Sequence, residues 1–200
     1  FIKVQDGCNQ FCSYCIIPYA RGPIRSREPQ EVVAEVKRLA ENGFKEVVLT
    51  GIHVASYGKD RRDTSLLDIL KQVHEVEGIE RIRFSSIEPN VVTEEFAQTM
   101  AALPKVCDHF HLSLQSGCDK TLKEMNRKYD TEKYRQAAAM LRKYLPKVAL
   151  TTDIIVGFPG ETEEDFRESY AFAEEIGFAK IHVFPYSPKR GTPAAARKDQ

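Results

Sequence analysis

Residues 149–177 read ALTTDIIVGFPGETEEDFRESYAFAEEIG and run from a strand through a tight turn into a helix. Ala149 to Val156 is a short apolar run rich in β-branched residues and bounded by glycine, which predicts a strand. Thr162 followed by Asp165 forms a capping-box-like opening, acids fill the first turn, and Gly177 closes the helix after Ile176. Within the strand, Asp153 stands alone among apolar neighbours, and a buried carboxylate has to find a partner.

The same unit recurs upstream and downstream. Strands are predicted at Phe1 to Gln5, Glu46 to Thr50, Arg81 to Ser85, His109 to Leu112 and Lys180 to Phe184, which with Ala149 to Val156 makes six. Helical spacing appears over Pro29 to Asn42, through Val32, Val33, Val36 and Leu39, with proline in the first turn and Gly43 past the end. Ser65 precedes a helix with Leu66, Leu70 and Val73, Thr93 precedes one with Phe96 and Met100, and Thr131 opens one through Leu141 and Tyr144. Alternating strands and helices predict a parallel sheet. Six units are too few for a closed eight-fold barrel, so the expectation is an open doubly wound sheet or a partial barrel, with the site at the carboxyl ends of the strands in either case.

Those ends carry the polar loops: TGIH after the second strand, SSIEP after the third, LQSG after the fourth and GFPGET after the fifth. The loop after the first strand is CNQFCSYC, Cys8 to Cys15, which holds three of the five cysteines in a CxxxCxxC spacing. Three clustered thiols fit metal ligation in a reducing compartment better than a disulfide framework. A structural zinc site needs four ligands, which Cys107 or Cys118 would have to complete at long range, whereas an iron–sulfur cluster on three cysteines leaves one iron open.

The 200 residues contain 29 basic and 29 acidic side chains, so any nucleic-acid contact has to be local. Arg21, Arg25 and Arg27 form the one basic run and suit either phosphate contacts or salt bridges to neighbouring loops. No run of about 18 apolar residues and no signal-peptide pattern is present, which predicts no membrane partner and a cytoplasmic location. The abrupt apolar start and polar end suggest a piece of something longer.

CNQFCSYC, with an aromatic residue before the third cysteine, resembles the signature of the radical S-adenosyl-L-methionine (SAM) enzymes. Together with DGCNQFCSYCIIPYARG, VVLTGIH, RIRFSSIEP, LSLQSG, MNRKY, TTDIIVGFPGETEEDF and HVFPYSPKRGTPA, the chain resembles the methylthiotransferases from end to end. TGIH and SSIEP are most like the branch acting on N6-threonylcarbamoyladenosine at tRNA position 37, rather than the isopentenyladenosine or ribosomal-protein branches.

The resemblance implies an α/β fold, a partial (β/α)6 TIM-like barrel, with residues 1–200 forming the radical SAM core. It implies a [4Fe-4S] cluster on Cys8, Cys12 and Cys15 whose open iron takes SAM, reductive cleavage of SAM, hydrogen abstraction from the adenine ring and delivery of a methylated sulfur. Full-length relatives add a second [4Fe-4S] cluster on an N-terminal domain and a C-terminal tRNA-binding β-barrel, and a reductant such as flavodoxin or ferredoxin is implied. For SAM contacts it points to Tyr14 in the cluster loop and Gly51 after the second strand. The later loops supply Ser86, Gln115, Arg127 for the SAM carboxylate, Asp153 lining the barrel interior, and Ile155 against the adenine. TGIH stands where the superfamily commonly has a GGE-like segment, which leaves His53 either functional or structural.

Overall fold

The computed structural model describes residues 1–199. Six parallel strands run in the order of the chain: β1 (Ile2–Asp6), β3 (Glu46–Gly51), β4 (Arg81–Phe84), β5 (His109–His111), β6 (Ala149–Val156) and β7 (Lys180–Pro185). A seventh, β2 (Arg25–Ser26), pairs antiparallel with the outer edge of β1. The pairing is continuous within β2-β1-β3-β4 and within β5-β6-β7. Isolated bridges Ile82 to Val106 and Ile87 to Leu112 carry it across β4 and β5. The result is one curved sheet that does not close, and no strand pairs with the far edge of β7 among the described residues. This is the partial barrel of the two expected architectures.

Helices α2 (Pro29–Glu41), α3 (Leu66–His74), α4 (Glu94–Ala102), α6 (Thr131–Tyr144) and α7 (Glu163–Ile176) follow β2 through β6 and cover the outer face. Two short helices, α1 (Ile17–Arg21) and α5 (Asp119–Glu124), were not expected. Strand alternation sorts the side chains. Ile2, Leu49, Ile82, Phe110, Leu150 and Ile154 are buried against the helices and form the main core. The alternate positions, among them Thr151, Asp153, His111 and His182, face the interior of the barrel. A closed barrel fills that interior with layers of Val, Ile and Leu. Here it is polar, and it stays partly open.

The expected boundaries shift at the strand ends. Phe1 lies outside β1 and is 93% exposed, and Ser85 and Leu112 lie just past β4 and β5. Helix α6 is capped by Asp130, whose carboxylate accepts from Lys133 N at 2.8 Å, one residue earlier than Thr131. No helix among the described residues is long and apolar enough to cross a membrane.

Candidate active site

The CNQFC loop starts at a glycine with no alternative. Gly7 has φ +72°, and a Cβ there would stand 1.9 Å from the carbonyl oxygen of Pro23. The chain reverses through that contact, Cys8 N donates to Gly22 O at 3.1 Å, and Cys15 N closes a turn onto Cys12 O at 3.0 Å. The far side of the loop is held by the turn after α5. Ser13 N donates to Met125 O at 2.9 Å, Ser13 Oγ to Glu124 O at 2.8 Å, and Asn126 Nδ2 to Phe11 O at 2.7 Å. Near the chain's end, Ala194 N donates to Ser13 O at 2.8 Å.

Under the loop lies a cavity of about 170 Å³ lined by Cys8, Cys12 and Cys15 together with Tyr14, Ser86 and Arg127. Gln10, Ile17, Ile52, His53, Glu88 and Ser113 complete its wall. Six of the ten residues singled out from sequence therefore meet in one place. Gly51, Gln115, Asp153 and Ile155 do not line it. Ile155 packs beside Tyr14 in a small cluster with Met125 and Phe158, one step away from the cavity. Gly51 makes room for the Gln5 amide, since a Cβ would sit 2.7 Å from Gln5 Oε1. Gln115 holds φ +73° and pairs its backbone with Asp153 O and Ile155 N of β6, both at 2.9 Å. Asp153 lies deeper, between His111 Nε2 and His182 Nδ1, each at 3.2 Å.

A larger groove of about 470 Å³, lined by Ile154, Val156, Phe166, Tyr170, Phe178 and Val183 among others, runs along the outer face under α7. It carries one charged residue, Glu174, and no thiol. The smaller cavity holds the donors, and we place the site there.

Arg127 organises the wall. Its guanidinium donates to Glu88 Oε1 at 2.7 Å, to Cys12 Sγ at 3.2 Å and to Tyr129 OH at 3.0 Å, and it stacks 4.8 Å above the Tyr129 ring. Glu88 also has His53 Nε2 3.0 Å from its second oxygen, although that ring nitrogen is off line and makes no hydrogen bond. Burial would raise the Glu88 carboxyl, but His53 and the Arg127 charge hold it below the usual range. Burial works against the Arg127 charge too, yet Tyr129, Tyr14, Cys12 and Glu88 carry its pKa above the ordinary value. The carboxylate that Arg127 holds in this structure is thus Glu88. The Cys8 and Cys15 thiols are pushed up, chiefly by burial.

Gln5 is the residue the sequence concealed. Fully buried at the end of β1, it donates from Nε2 to Asp6 O and Gly7 O at 2.6 and 2.7 Å and accepts from His53 N at 2.8 Å. One amide thereby ties the cysteine loop to TGIH. A polar residue directly before Asp-Gly, in an otherwise alternating strand, was its only signal.

The donor set fits a cluster better than a single ion. Ligands around one zinc at about 2.3 Å would bring the sulfurs to within about 4 Å of each other. Among the described residues the one set of three ligand-type atoms all within 4.8 Å of one another is His111, Asp153 and His182, not the cysteines. The candidate fourth thiols stand apart. Cys107 precedes β5 at the opposite end of the barrel, and Cys118 is buried beside Asp165 with its Sγ 3.6 Å from Oδ1. Neither lines the cavity. The basic run is largely engaged: Arg27 pairs with Glu35 at 2.7 Å and Arg25 with Asp6 at 3.6 Å.

An open α/β barrel with three thiols on the loop after its first strand defines a class, and the chain belongs to the radical SAM superfamily, whose family model matches residues 2–173. Within it, the chain is 48% identical over 200 residues to the threonylcarbamoyladenosine tRNA methylthiotransferase MtaB of Bacillus subtilis, covering 100% of this chain and 44% of that protein. It is 46% identical over 201 residues to the tRNA-2-methylthio-N(6)-dimethylallyladenosine synthase of Clostridium botulinum (strain Hall), covering 100% of this chain and 45% of that one. The chain therefore spans less than half the length of these relatives. The family expected from the motifs is the family found. Among solved structures, the radical SAM methyltransferase TsrM of Kitasatospora setae, determined with cobalamin and a [4Fe-4S] cluster bound, aligns with a TM-score of 0.79 at 19% identity over 97% of this chain and 38% of its own. Methylornithine synthase PylB aligns at 0.70 and 17% identity over 100% and 56%. These likenesses are of fold.

Proposed function

We propose that this chain is the SAM-cleaving core of a cytoplasmic tRNA methylthiotransferase that modifies ring position 2 of adenosine 37, and that its substrate is the threonylcarbamoylated base. The observation that carries the reading is the rim cavity: three thiols without a fourth, on a loop that Gly7 turns and the segment after α5 holds. When bound there, a [4Fe-4S] cluster supplies the electron that cleaves SAM. The protein's part is to hold and orient. Cys8, Cys12 and Cys15 are the cluster ligands, and Arg127 fixes Cys12 while its charge stays balanced by Glu88. Tyr14 and Ile155 form the apolar flank for the SAM adenine, with Gly51, Ser86 and Gln115 among SAM's remaining contacts. A flavodoxin or ferredoxin is the proposed reductant, and the second [4Fe-4S] cluster and the tRNA-binding β-barrel belong to the longer protein.

Identities of 48% and 46% to the two kinds of tRNA enzyme do not separate the substrates. Replacing Cys8, Cys12 or Cys15 by alanine is expected to abolish iron incorporation during anaerobic reconstitution, whereas Cys107→Ala and Cys118→Ser should keep about four irons per site. Iron and sulfide analysis reads this directly. Retention of the cluster after a Cys12 change, or its loss after Cys118→Ser, would reassign the ligands. Nucleoside mass spectrometry of tRNA from cells lacking the gene identifies the base.

A further inference from the structure

The interior of the barrel holds a second arrangement that the cysteine cavity does not use. The inner face of β7 carries Lys180, His182 and Phe184, because Ile181 and Val183 between them line the groove on the outer face. Side chains on one face of a strand are spaced by about 6.6 Å, so these three form a column about 13 Å long. At its upper level Phe184 is 51% exposed and registers with Ile155, which packs beside Tyr14 of the cysteine loop. One level down, His182 registers with Asp153 and its Nδ1 lies 3.2 Å from Oδ1. A carboxylate only accepts, so Nδ1 carries a proton, and in the neutral ring Nε2 presents a lone pair that no described residue meets. The His182 side chain is 42% exposed, which keeps that nitrogen within reach of a ligand.

The network continues behind Asp153. His111 stacks on His182 at 5.8 Å, and its Nε2 lies 3.2 Å from Asp153 Oδ2, buried and without a hydrogen bond. Its Nδ1 meets Thr151 Oγ1 at 3.1 Å, which in turn meets His109 Nε2 at 3.3 Å. At the lowest level Lys180 is exposed, and none of the described residues pairs with its ammonium. A polar, partly solvated column in a place that barrels ordinarily pack with aliphatic side chains is prepared for a ligand.

Resting on the methylthiotransferase reading, we propose that this column seats an adenine whose N6 substituent ends in a carboxylate, with the ring on Phe184, ureido and hydroxyl donors at His182 and Asp153, and the carboxylate on Lys180. Positions 2 and 6 of adenine flank N1 on one edge of the ring, and their substituents diverge from it. A base that turns its C2 toward the cysteine rim leaves its N6 substituent free to run down the barrel, along β7. Threonylcarbamoyl offers N–H and O–H donors followed by an anion, in the order of the column. A dimethylallyl group would leave the His182 lone pair and the Lys180 charge unmet, and a site built for polar groups rejects a partner that lacks them far more strongly than an apolar one rejects an extra methylene.

The test uses the full-length, cluster-loaded enzyme and anticodon stem-loops labelled for fluorescence anisotropy. They carry threonylcarbamoyladenosine, its threoninamide analogue, dimethylallyladenosine or plain adenosine. The unsubstituted enzyme should bind the acid about tenfold or more tighter than the amide, the worth of a charge-assisted contact. Lys180→Met should bring that ratio near one, and His182→Phe should weaken the acid and the amide together relative to plain adenosine. The acid-to-amide ratio in the unsubstituted enzyme needs no variant to fold, so equal binding there overturns the seat. Nucleoside analysis of the same mixtures separates the two claims. Equal binding with the base still methylthiolated removes the column and leaves the function standing. A clear preference for the acid with no methylthiolation of any stem-loop supports the column as a carboxylate seat and defeats the reaction assigned to the site.

Discussion

Arg127 is 112 residues or more from every residue of the CNQFCSYC stretch, yet its guanidinium joins Cys12, Glu88 and Tyr129 in one buried group. Removing one partner of a buried pair costs more than the pair contributes, because the other charge is left without compensation. Arg127→Ala is therefore expected to destabilise the metal-free protein by about 3–5 kcal/mol. Glu88→Gln in that background should restore part of the loss, with a coupling of about 0.5–3 kcal/mol. Urea unfolding of the four proteins closes the cycle, and additive effects would show that the two side chains act separately. At this scale the sequence marked chemistry but not partners. Asp153 declared itself as a carboxylate in need of company, while the histidines that keep it company lie 42 and 29 positions away and enter only when β5, β6 and β7 take their register. The three arginines near the start looked like one basic patch. Two of them are spoken for by Glu35 and Asp6, because the two-residue strand β2 turns the run against β1 and α2.

Helix starts were readable because a cap is a local bargain between neighbours. Ser65 accepts from Asp68 N and Thr93 from Phe96 N, and Thr162 with Asp165 completes the reciprocal box that opens α7. Asp165 also receives Lys120 Nζ at 2.6 Å. That hydrogen bond first, and the Thr162 backbone next, hold its carboxyl well below the ordinary value of 3.8. A carboxyl depressed on folding stabilises fully above its unfolded pKa and loses the contribution as pH falls through the folded one. Asp165→Asn should thus lower Tm by a constant amount between pH 5 and 7, equivalent to about 0.3–1 kcal/mol for the negative charge lost from the first turn of α7. The gap to the unsubstituted protein should close progressively as the pH drops below about 4. Calorimetry across that range decides it; a gap that widens in acid would mean the carboxylate is a burden to the fold. Helices α1 and α5 escaped notice since five and six residues are too few to display a 3.6-residue period. Strand β2 is just two residues, a single repeat of the strand's two-residue alternation, and shows no pattern. Those short elements are nonetheless the ones that brace the cysteine loop, through Gly22 on one side and Glu124 and Met125 on the other.

At the scale of the molecule, the 200 residues contain five cysteines, of which three line the rim cavity and two lie elsewhere in the fold. A second three-thiol site cannot be assembled from Cys107 and Cys118. Reconstituted anaerobically and given a strong reductant, these residues alone are expected to convert SAM slowly into 5′-deoxyadenosine and methionine while leaving threonylcarbamoylated tRNA without a methylthio group. Chromatography of the small products beside nucleoside analysis of the tRNA measures both. Methylthiolated tRNA from this piece would refute the need for a second cluster, and absence of deoxyadenosine under every reductant would count against the rim cavity as the place of cleavage. The order of strands was legible here because each β–α unit pairs with its predecessor; the curvature was not, since nothing in a strand of four to eight residues announces how far the sheet will bend.

Among the described residues the sheet stops at β2 on one side and at β7 on the other without meeting itself. That gap changes which kinds of molecule the interior can admit. A closed ring can be entered only through its two mouths. A letter C can also be entered from the side, along its whole height. The incomplete circle, which leaves β7 without a partner strand on its far edge among the described residues, gives a long ligand a lateral way in as well as an end-on one.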